Sequence, residues 1–321
     1  MDAAPATTRS PHLMTVLGPV PADRFGLALP HEHVLCDFIG ADKTGPHRWD
    51  RDAVAAKMLP LLKEAVAAGV RAFVDCSPAY IARDPVLLRR LAKESGLHLL
   101  TNTGYYKEPY LPPHAFTETE DQLAERWTRE YQSGIDGTDV RPGFIKIAVN
   151  PGPLVPVQQK IVRAAARAQR RTGLTIACHT AHGVAGVEAL GLLEEENAPL
   201  DRFIVVHSDA IEERETHLKL WDRGAWVEYD AVGWKPIEWH VELITWFLER
   251  RGPHRLLLSH DGGWYWAGEP DGGTQKPFTP LFRELVPALR ARGVKQETLD
   301  QLLIKNPATA FTIRPIDTPL C

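Results

Sequence analysis

The chain has 321 residues, of which 44% are hydrophobic and 24% charged, a composition that supports a large buried core. Its formal net charge of −4 gives no electrostatic reason to expect binding to nucleic acid or to an anionic membrane. No run reaches 18 apolar residues and the polar N-terminus lacks the apolar core of a signal peptide. The four cysteines form no C-x-x-C pair, and three of them lie in or beside apolar runs, which suggests buried thiols in a reducing compartment. We therefore expect a cytoplasmic protein without nucleic-acid or membrane partners.

Short β-branched runs alternate with longer amphipathic windows along the chain, a pattern typical of βα units around a parallel sheet. The predicted strands lie at residues 26–33, 70–76, 97–102, 143–148, 174–179, 202–207, 225–230 and 255–261. The predicted helices lie at residues 51–68, 84–95, 117–133, 155–172, 183–196, 211–222 and 238–250, followed by a pair at 279–292 and 296–304.

Eight strands with eight following helical segments predict a closed (β/α)8 TIM barrel of the α/β class. We expect one domain over residues 14–321 and a flexible tail over residues 1–13. A doubly wound open sheet is the alternative, but no glycine-rich nucleotide fingerprint follows any strand. Turn signals at residues 16–26 predict a small hairpin before the barrel. The longest βα loop is expected at residues 262–277.

Five of the predicted strands end in residues that can bind metal ions. In chain order these residues are His31 and His33, Lys146, His179, His207 and Asp261. Side chains alternate along a strand, so His31 and His33 share one side while Glu32 points to the other. Because all strands of a parallel barrel end at one face, we expect these residues to converge there. Four imidazoles and a carboxylate suit zinc, with manganese, iron or cobalt as alternatives.

Lys146 is the unusual member of this set. A neutral lysine amine can react with carbon dioxide to give a carbamate, an anion whose two oxygens can bridge two cations. An unmodified ammonium would repel metal ions, so the sequence context favours N6-carboxylysine at this position.

Each of these residues also has a structural interpretation when taken alone. His179 or His207 could be a hydrogen-bonded core histidine, Lys146 could pair with a carboxylate, and Asp261 could cap the next helix. The ordered set favours the metal site over these alternatives. The remaining histidines of interest are expected to support the site or lie on the surface; they are His182, His240, His254 and His260.

The chain resembles the phosphotriesterase family of the amidohydrolase superfamily, including its lactonases. The matching stretches are Leu29-Pro-His-Glu-His33, Thr103-Gly-Tyr-Tyr106, Gly143-Phe-Ile-Lys146, His179-Thr180, His207-Ser-Asp209, Ser259-His-Asp261 and Asn306-Pro-Ala308. The resemblance covers roughly residues 14–312.

The resemblance implies a binuclear site for two divalent ions. His31, His33 and Asp261 would hold one metal ion, and His179 and His207 the other, with carboxylated Lys146 and a hydroxide bridging the pair. The hydroxide would attack a carbonyl carbon or phosphorus, and Asp261 is the candidate to relay the proton.

The resemblance also suggests residues that handle the substrate. Tyr106 matches a lactonase tyrosine and would orient the substrate or protonate the leaving alkoxide; packing in its loop is the alternative. We expect the substrate pocket to include Tyr105, Trp264, Tyr265 and Trp266. The aromatic residues of the eighth loop could instead form a subunit interface in a homodimer.

The reaction class is better supported than the substrate. Where lactonases carry an arginine after strand 7, this chain has Tyr229-Asp-Ala-Val-Gly233. The leading hypothesis is a metal-dependent hydrolase of a lactone, carboxylic ester or phosphoester, with weak phosphotriesterase activity. The alternatives are a mononuclear, deaminase-type amidohydrolase and a ligand-binding barrel without turnover.

Overall fold

The computed structural model describes residues 11–314. Its strands are β1 (His12–Thr15), β2 (Gly18–Pro21), β3 (Ala28–Cys36), β4 (Ala72–Asp75), β5 (His98–Leu100), β6 (Asn102–Thr103), β7 (Phe144–Ala148), β8 (Ile176–His179), β9 (Phe203–Val206), β10 (Trp226–Tyr229), β11 (Leu256–Leu258) and β12 (Gly262–Trp266). Its α-helices are α1 (Arg51–Ala67), α2 (Pro85–Ser95), α3 (His114–Thr117), α4 (Glu120–Ser133), α5 (Pro156–Thr172), α6 (Gly183–Glu195), α7 (Arg214–Asp222), α8 (Ile237–Arg251), α9 (Val286–Ala291), α10 (Gln296–Asp300) and α11 (Asn306–Phe311). Within the described range, no helix combines the length and apolar character needed to cross a membrane.

Two interrupted strands close the barrel. Thr101 separates β5, which pairs with β4, from β6, which pairs with β7. In the same way β11 pairs with β10, and β12 continues beyond it to pair with β3. All pairings in the ring are parallel. The predicted (β/α)8 barrel is thereby confirmed, with its active face at the C-terminal ends of the strands.

The eighth strand differs from the prediction. We expected one strand over residues 255–261, but β11 stops at Leu258 and pairing resumes only at Gly262. Asp261 adopts a left-handed backbone with φ of 48°, which takes this segment out of the regular strand geometry. The expected long loop therefore begins after Trp266.

The helix predicted at residues 117–133 is also divided. Thr119 stands between α3 and α4 in an extended conformation and caps α4, because its hydroxyl accepts from the Gln122 N–H. The Gln122 side chain accepts in return from the Thr119 N–H. This reciprocal capping pair sets the start of α4.

The hairpin predicted before the barrel is present as β1 and β2, slightly earlier than expected. Residues 12–13, which we placed in a flexible tail, belong to β1, and Leu13 is fully buried. Residues 1–10 of that predicted tail lie outside the described residues. Leu13 and Phe25 share an apolar cluster with Phe144, so the hairpin segment closes the N-terminal end of the barrel.

Apolar side chains fill the interior of the barrel directly beneath the predicted ligands. Phe144, Ala177 and Trp226 belong to the cluster that fills the barrel, and each lies two residues before a polar residue. By alternation, the polar side chains that follow, including Lys146 and His179, face the same interior at the next level.

Glu32 holds the broken eighth strand against β3. Its carboxylate is fully buried and points away from the predicted ligands, as alternation requires. It accepts hydrogen bonds from the Ser259 hydroxyl, the His260 N–H and the Gly262 N–H, at 2.9, 3.1 and 2.7 Å. These contacts satisfy backbone groups that the strand break leaves without ladder partners.

Glu32→Gln should destabilise the protein by about 2–4 kcal/mol, because the amide nitrogen would face buried N–H donors. The measurement is urea unfolding of the metal-free protein followed by circular dichroism. Glu94→Gln is the matched control, since Glu94 is exposed and pairs only with Arg90 on the same helix. Equal unfolding midpoints for the two variants would contradict this role of Glu32.

Candidate metal centre

The structure brings the six predicted ligands together at one end of the barrel. The His31 ring lies 5.5 Å from the ring of His33 and 5.0 Å from that of His207, between centroids. His207 and His179 are 4.5 Å apart by the same measure. Asp261 Oδ1 lies 3.1 Å from His33 Nε2, and Lys146 Nζ lies 3.4 Å from His31 Nε2.

Three of the imidazoles are oriented by a polar partner at Nδ1. His33 Nδ1 lies 2.8 Å from the Ser77 hydroxyl, and His207 Nδ1 lies 2.7 Å from Asp230 Oδ1. His31 Nδ1 contacts Glu228 Oε2 at 3.1 Å and Asp230 Oδ2 at 3.3 Å. With Nδ1 held in this way, the Nε2 lone pair of each ring is the one available for a metal ion.

Burial keeps most of these imidazoles neutral. Burial, helped by the Lys146 charge, lowers the pKa of His31 to about 3. Burial also lowers the pKa of His33, and burial together with His207 lowers that of His179 well below its usual value. At His207 burial acts in the same sense, but the charge and hydrogen bond of Asp230 outweigh it and raise the pKa. Neutral imidazole is the form that binds metal ions.

Lys146 is buried without a carboxylate partner. Its side chain is 1% exposed, and its polar contact is His31 Nε2. It forms an ion pair with none of the carboxylates of residues 11–314. A buried, unpaired ammonium is costly, so the pairing alternative for Lys146 does not fit the structure.

The donor set fits a metal ion. The nitrogen and oxygen donors of His31, His33 and Asp261 all lie within 4.8 Å of one another. The separations of Asp261 Oδ1 from His33 Nε2 and His31 Nε2, 3.1 and 3.7 Å, bracket the roughly 3.4 Å between ligands of a tetrahedral zinc. In the described part of the chain, Asp261 Oδ1 is also a buried oxygen without a hydrogen-bond partner.

There is a second group of donor atoms, from His31, His207 and Asp230, and these atoms also lie within 4.8 Å of one another. Here Asp230 is already engaged, because its two oxygens contact the Nδ1 atoms of both histidines and the His207 N–H. We therefore interpret Asp230 as the group that orients the histidines, and His31 and His207 as the ligands.

Two buried carboxylates that contact the candidate ligands, Glu228 and Asp230, were not predicted as site residues. Glu228 lies in strand β10 and Asp230 directly follows that strand, and both are 1% exposed. Burial and the Asp230 charge raise the pKa of Glu228 well above its usual value. Burial would also raise the pKa of Asp230, but His207 and His31 lower it strongly, so Asp230 is the ionised partner. Because side chains alternate along a strand, their spacing of two residues at a strand end could have predicted that both face the site.

Within residues 11–314, His179 has no carboxylate or hydroxyl of a strand residue at Nδ1; its two ring nitrogens contact residues of the loop after β6. The Tyr106 hydroxyl lies 3.2 Å from His179 Nδ1, and Lys107 Nζ lies 2.8 Å from Nε2. Burial, with the charge of Asp261 adding to it, raises the pKa of Tyr106 far above its usual value, so the phenol stays protonated. Tyr106 therefore lies beside a candidate ligand, where we expected it. Lys107 contacts the same histidine but was not among the predicted site residues.

An aromatic wall borders the ligands on the side of His33. Trp264 lies 4.1 Å from the His33 ring and 5.2 Å from Trp266, between centroids. Phe38 lies 5.7 Å from Trp266 and 5.8 Å from Tyr106. We call Phe38, Tyr106, Trp264 and Trp266 the aromatic wall.

Two of the expected pocket residues lie elsewhere. Tyr105 packs between the barrel and α4, with its hydroxyl 2.9 Å from His114 Nε2 and its ring 5.3 Å from that of Trp127. Tyr265 packs against the apolar cluster between the barrel strands and the surrounding helices. Each neighbours a residue that faces the site, and alternation turns its own side chain outward. The expectation of a pocket role for these two residues therefore needs correction.

The other histidines lie outside the ligand group. His260 is buried, with Nδ1 2.7 Å from Glu32, and His240 Nε2 lies 2.9 Å from the Ala231 carbonyl oxygen. His182 Nδ1 accepts from the Gly152 N–H. His254 accepts through its carbonyl oxygen from the Trp221 indole.

Comparison with known proteins gives a consistent result. The model of the phosphotriesterase family matches residues 11–311. A phosphotriesterase homology protein of Escherichia coli is 29% identical, with 90% of this chain and 99% of that protein covered. An aryldialkylphosphatase of Saccharolobus solfataricus is 26% identical, with 89% and 95% covered.

A solved structure supports the same assignment. A mutant of a phosphotriesterase-like lactonase from Deinococcus radiodurans superposes with a TM-score of 0.84 at 30% identity, covering 93% of this chain and 99% of that one. The family model spans most of the sequence, and the solved structure shares the barrel. The chain therefore belongs to the phosphotriesterase family of hydrolases.

Proposed function

We propose that this protein is a binuclear metal-dependent hydrolase that cleaves a lactone, a carboxylic ester or a phosphoester. The observation that carries the proposal is the convergence of four histidines, an unpaired buried lysine and an aspartate at the C-terminal face of the barrel. This arrangement supports metal binding far better than isolated core histidines would, because three rings present Nε2 to a common space.

His31, His33 and Asp261 would hold one ion, His179 and His207 the other, and a carbamate on Lys146 would bridge them. Carboxylation removes the uncompensated positive charge of Lys146 and supplies two oxygen donors. Zinc suits this donor set best, with manganese, iron or cobalt as alternatives. When bound, such ions would acidify water and polarise the carbonyl or phosphoryl oxygen of the substrate.

Two residues would handle protons. Asp261 has an unsatisfied oxygen at the site, and we assign it the proton released when water attacks. Tyr106 carries its proton throughout the physiological range, so it can donate a hydrogen bond to the leaving alkoxide or orient the substrate.

The substrate classes rest on the relatives and on the pocket. The relatives include an aryldialkylphosphatase and a phosphotriesterase-like lactonase. This chain has Tyr229-Asp-Ala-Val-Gly233, without an arginine, in the region where the lactonase pattern has one, and its aromatic wall includes Trp264 and Trp266. We therefore place phosphotriester turnover as a weak side activity and leave the lactone or ester unspecified.

We also propose a cytoplasmic location. Cys36, Cys76 and Cys178 are buried free thiols, which suits a reducing compartment. A homodimer stays a prediction from the sequence.

Metal analysis tests the centre directly. Protein loaded with zinc should hold two ions per chain, and Lys146→Ala should hold at most one, because the bridging ligand is lost. Zinc is counted by plasma mass spectrometry, and ¹³C-labelled bicarbonate should give a carbamate signal in the wild type only. Lys160→Ala serves as control, since Lys160 contacts carbonyl oxygens near α3, away from the site. Full activity of Lys146→Ala with one ion would favour the mononuclear, deaminase-type alternative.

Asp230→Asn should weaken zinc binding about 10- to 100-fold, because two ligand histidines lose the carboxylate that fixes their Nδ1–H. Competition with a zinc-binding dye measures the affinity. Asp222→Asn, which removes an exposed partner of Arg251, should bind zinc like the wild type. Unchanged affinity in Asp230→Asn would refute this orienting role.

Tyr106→Phe separates protonation from orientation. If the phenol protonates the leaving group, kcat should fall about 100-fold for alkyl lactones and much less for 4-nitrophenyl esters, whose leaving group needs no proton. Similar losses for both substrate types would indicate orientation instead. Tyr265→Phe is the control, because that side chain packs outside the barrel. If Tyr106→Phe hydrolysed both substrate types at the wild-type rate, Tyr106 would have no role in the mechanism.

A further inference from the structure

Lys107 places an unpaired positive charge at the candidate metal centre. It lies in the loop after β6, and its side chain is half-buried. Its Nζ contacts His179 Nε2 at 2.8 Å and lies 5.6 Å from the Tyr106 ring centroid. Among residues 11–314 no carboxylate forms an ion pair with it. The basic side chains of the outer helices, such as Arg167 and Arg251, are instead paired with acidic residues.

The contact between Lys107 and His179 is incompatible with a metal ion on His179. An ammonium can only donate, so His179 Nε2 must accept from it and the ring proton must sit on Nδ1. A metal ion on Nε2 would take the place of Lys107. A metal ion on Nδ1 would move the ring proton to Nε2, where it would face the ammonium. Metal binding to His179 in either mode therefore releases Lys107 for another partner.

A second ammonium without an ion pair among the described residues is that of Lys276, near Asp261. Lys276 Nζ lies 3.1 Å from the Trp234 ring centroid, and the Trp234 indole donates to the carbonyl oxygens of His260 and Asp261. Lys276 also lacks an ion pair with the described carboxylates. In the described part of the chain, two lysine side chains without ion pairs therefore lie at the candidate site, one beside His179 and one near Asp261.

We propose that Lys107 binds an anionic group of the substrate, so that the enzyme prefers esters or lactones carrying a carboxylate, sulfonate or phosphate. This proposal rests on the proposed hydrolase function. Tyr106 joins Lys107 to the aromatic wall, so the preferred substrate combines an oxyanion with an apolar portion. A charged hydrogen bond in a partly dry pocket gives such selectivity because an uncharged analogue leaves the ammonium unpaired.

Two esters with acyl chains of the same carbon length test the proposal. In 4-nitrophenyl hemiglutarate a carboxylate replaces the terminal methyl of 4-nitrophenyl pentanoate, and the reacting bond is the same. The readout is the ratio of their kcat/KM values, which cancels any change in metal loading or chemistry. Lys107→Met should lower this ratio about 10- to 100-fold, the range for loss of one charged hydrogen bond. Lys107→Arg should keep most of it.

Lys160→Met is the matched control for loss of one positive charge, and its ratio should equal that of the wild type. Raising the salt concentration from about 0.05 M to about 0.5 M should lower the ratio of kcat/KM values of the wild type. The same change should lower the ratio of Lys107→Met by less. The sulfonate and phosphonate counterparts of the hemiglutarate ester distinguish the oxyanions. A ratio unaffected by Lys107→Met overturns the proposal.

A binding measurement separates this inference from the proposed function. If the wild type hydrolyses neither ester, the hydrolase proposal fails for them, while anion binding can still be measured. Calorimetry on the zinc-loaded protein compares glutaramate with pentanamide, its uncharged match. The wild type should bind glutaramate more tightly, and Lys107→Met should lose that difference. Equal affinities in the wild type, or a difference that survives Lys107→Met, would reject Lys107 as the anion site.

Discussion

The site depends on charge buried at the end of strand β10. Asp230 is ionised and almost inaccessible, and it contacts the Nδ1 atoms of both His31 and His207. A buried carboxylate is tolerated only when hydrogen bonds and positive charge compensate it. His31 is held neutral, whereas the pKa of His207 is raised by Asp230, so His207 supplies compensating charge in the metal-free site. In the proposed centre, two divalent ions would take over that role, and this balance connects the carboxylates with the neutral histidines and a carboxylated Lys146.

The sequence predicted the barrel and the convergence of the candidate ligands at one face, because both depend on simple periodicities. Alternation within a strand puts His31 and His33 on one side, and parallel topology brings strand ends such as Lys146 to one face. Neither argument needs long-range detail. The carboxylates Glu228 and Asp230 obey the same alternation and could have been found with it.

The predictions from the sequence were wrong where a shift of one residue decides which side chain faces the pocket. Tyr105 and Tyr106 both look suited to a pocket, but only one can face it, since a shift of one residue reverses the side. Tyr265 failed in the same way, because the expected loop continues as strand β12 after the break at Asp261. That break is stabilised by Glu32, whose partners are backbone groups more than 220 residues away in the chain. Contacts of that kind leave no local pattern.

The strands and the loops have different tasks in this barrel. Strand ends hold the ligands at positions fixed by the hydrogen-bonded ring, so the reaction class follows from the fold and the donor set. Lys107 and the aromatic wall project from a loop and from the extension of strand 8. A change there alters charge and shape at the rim without moving the ligands. Members of one family can therefore share hydrolytic chemistry and still differ in substrate, and we propose that in this chain Lys107, beside His179, contributes to that difference.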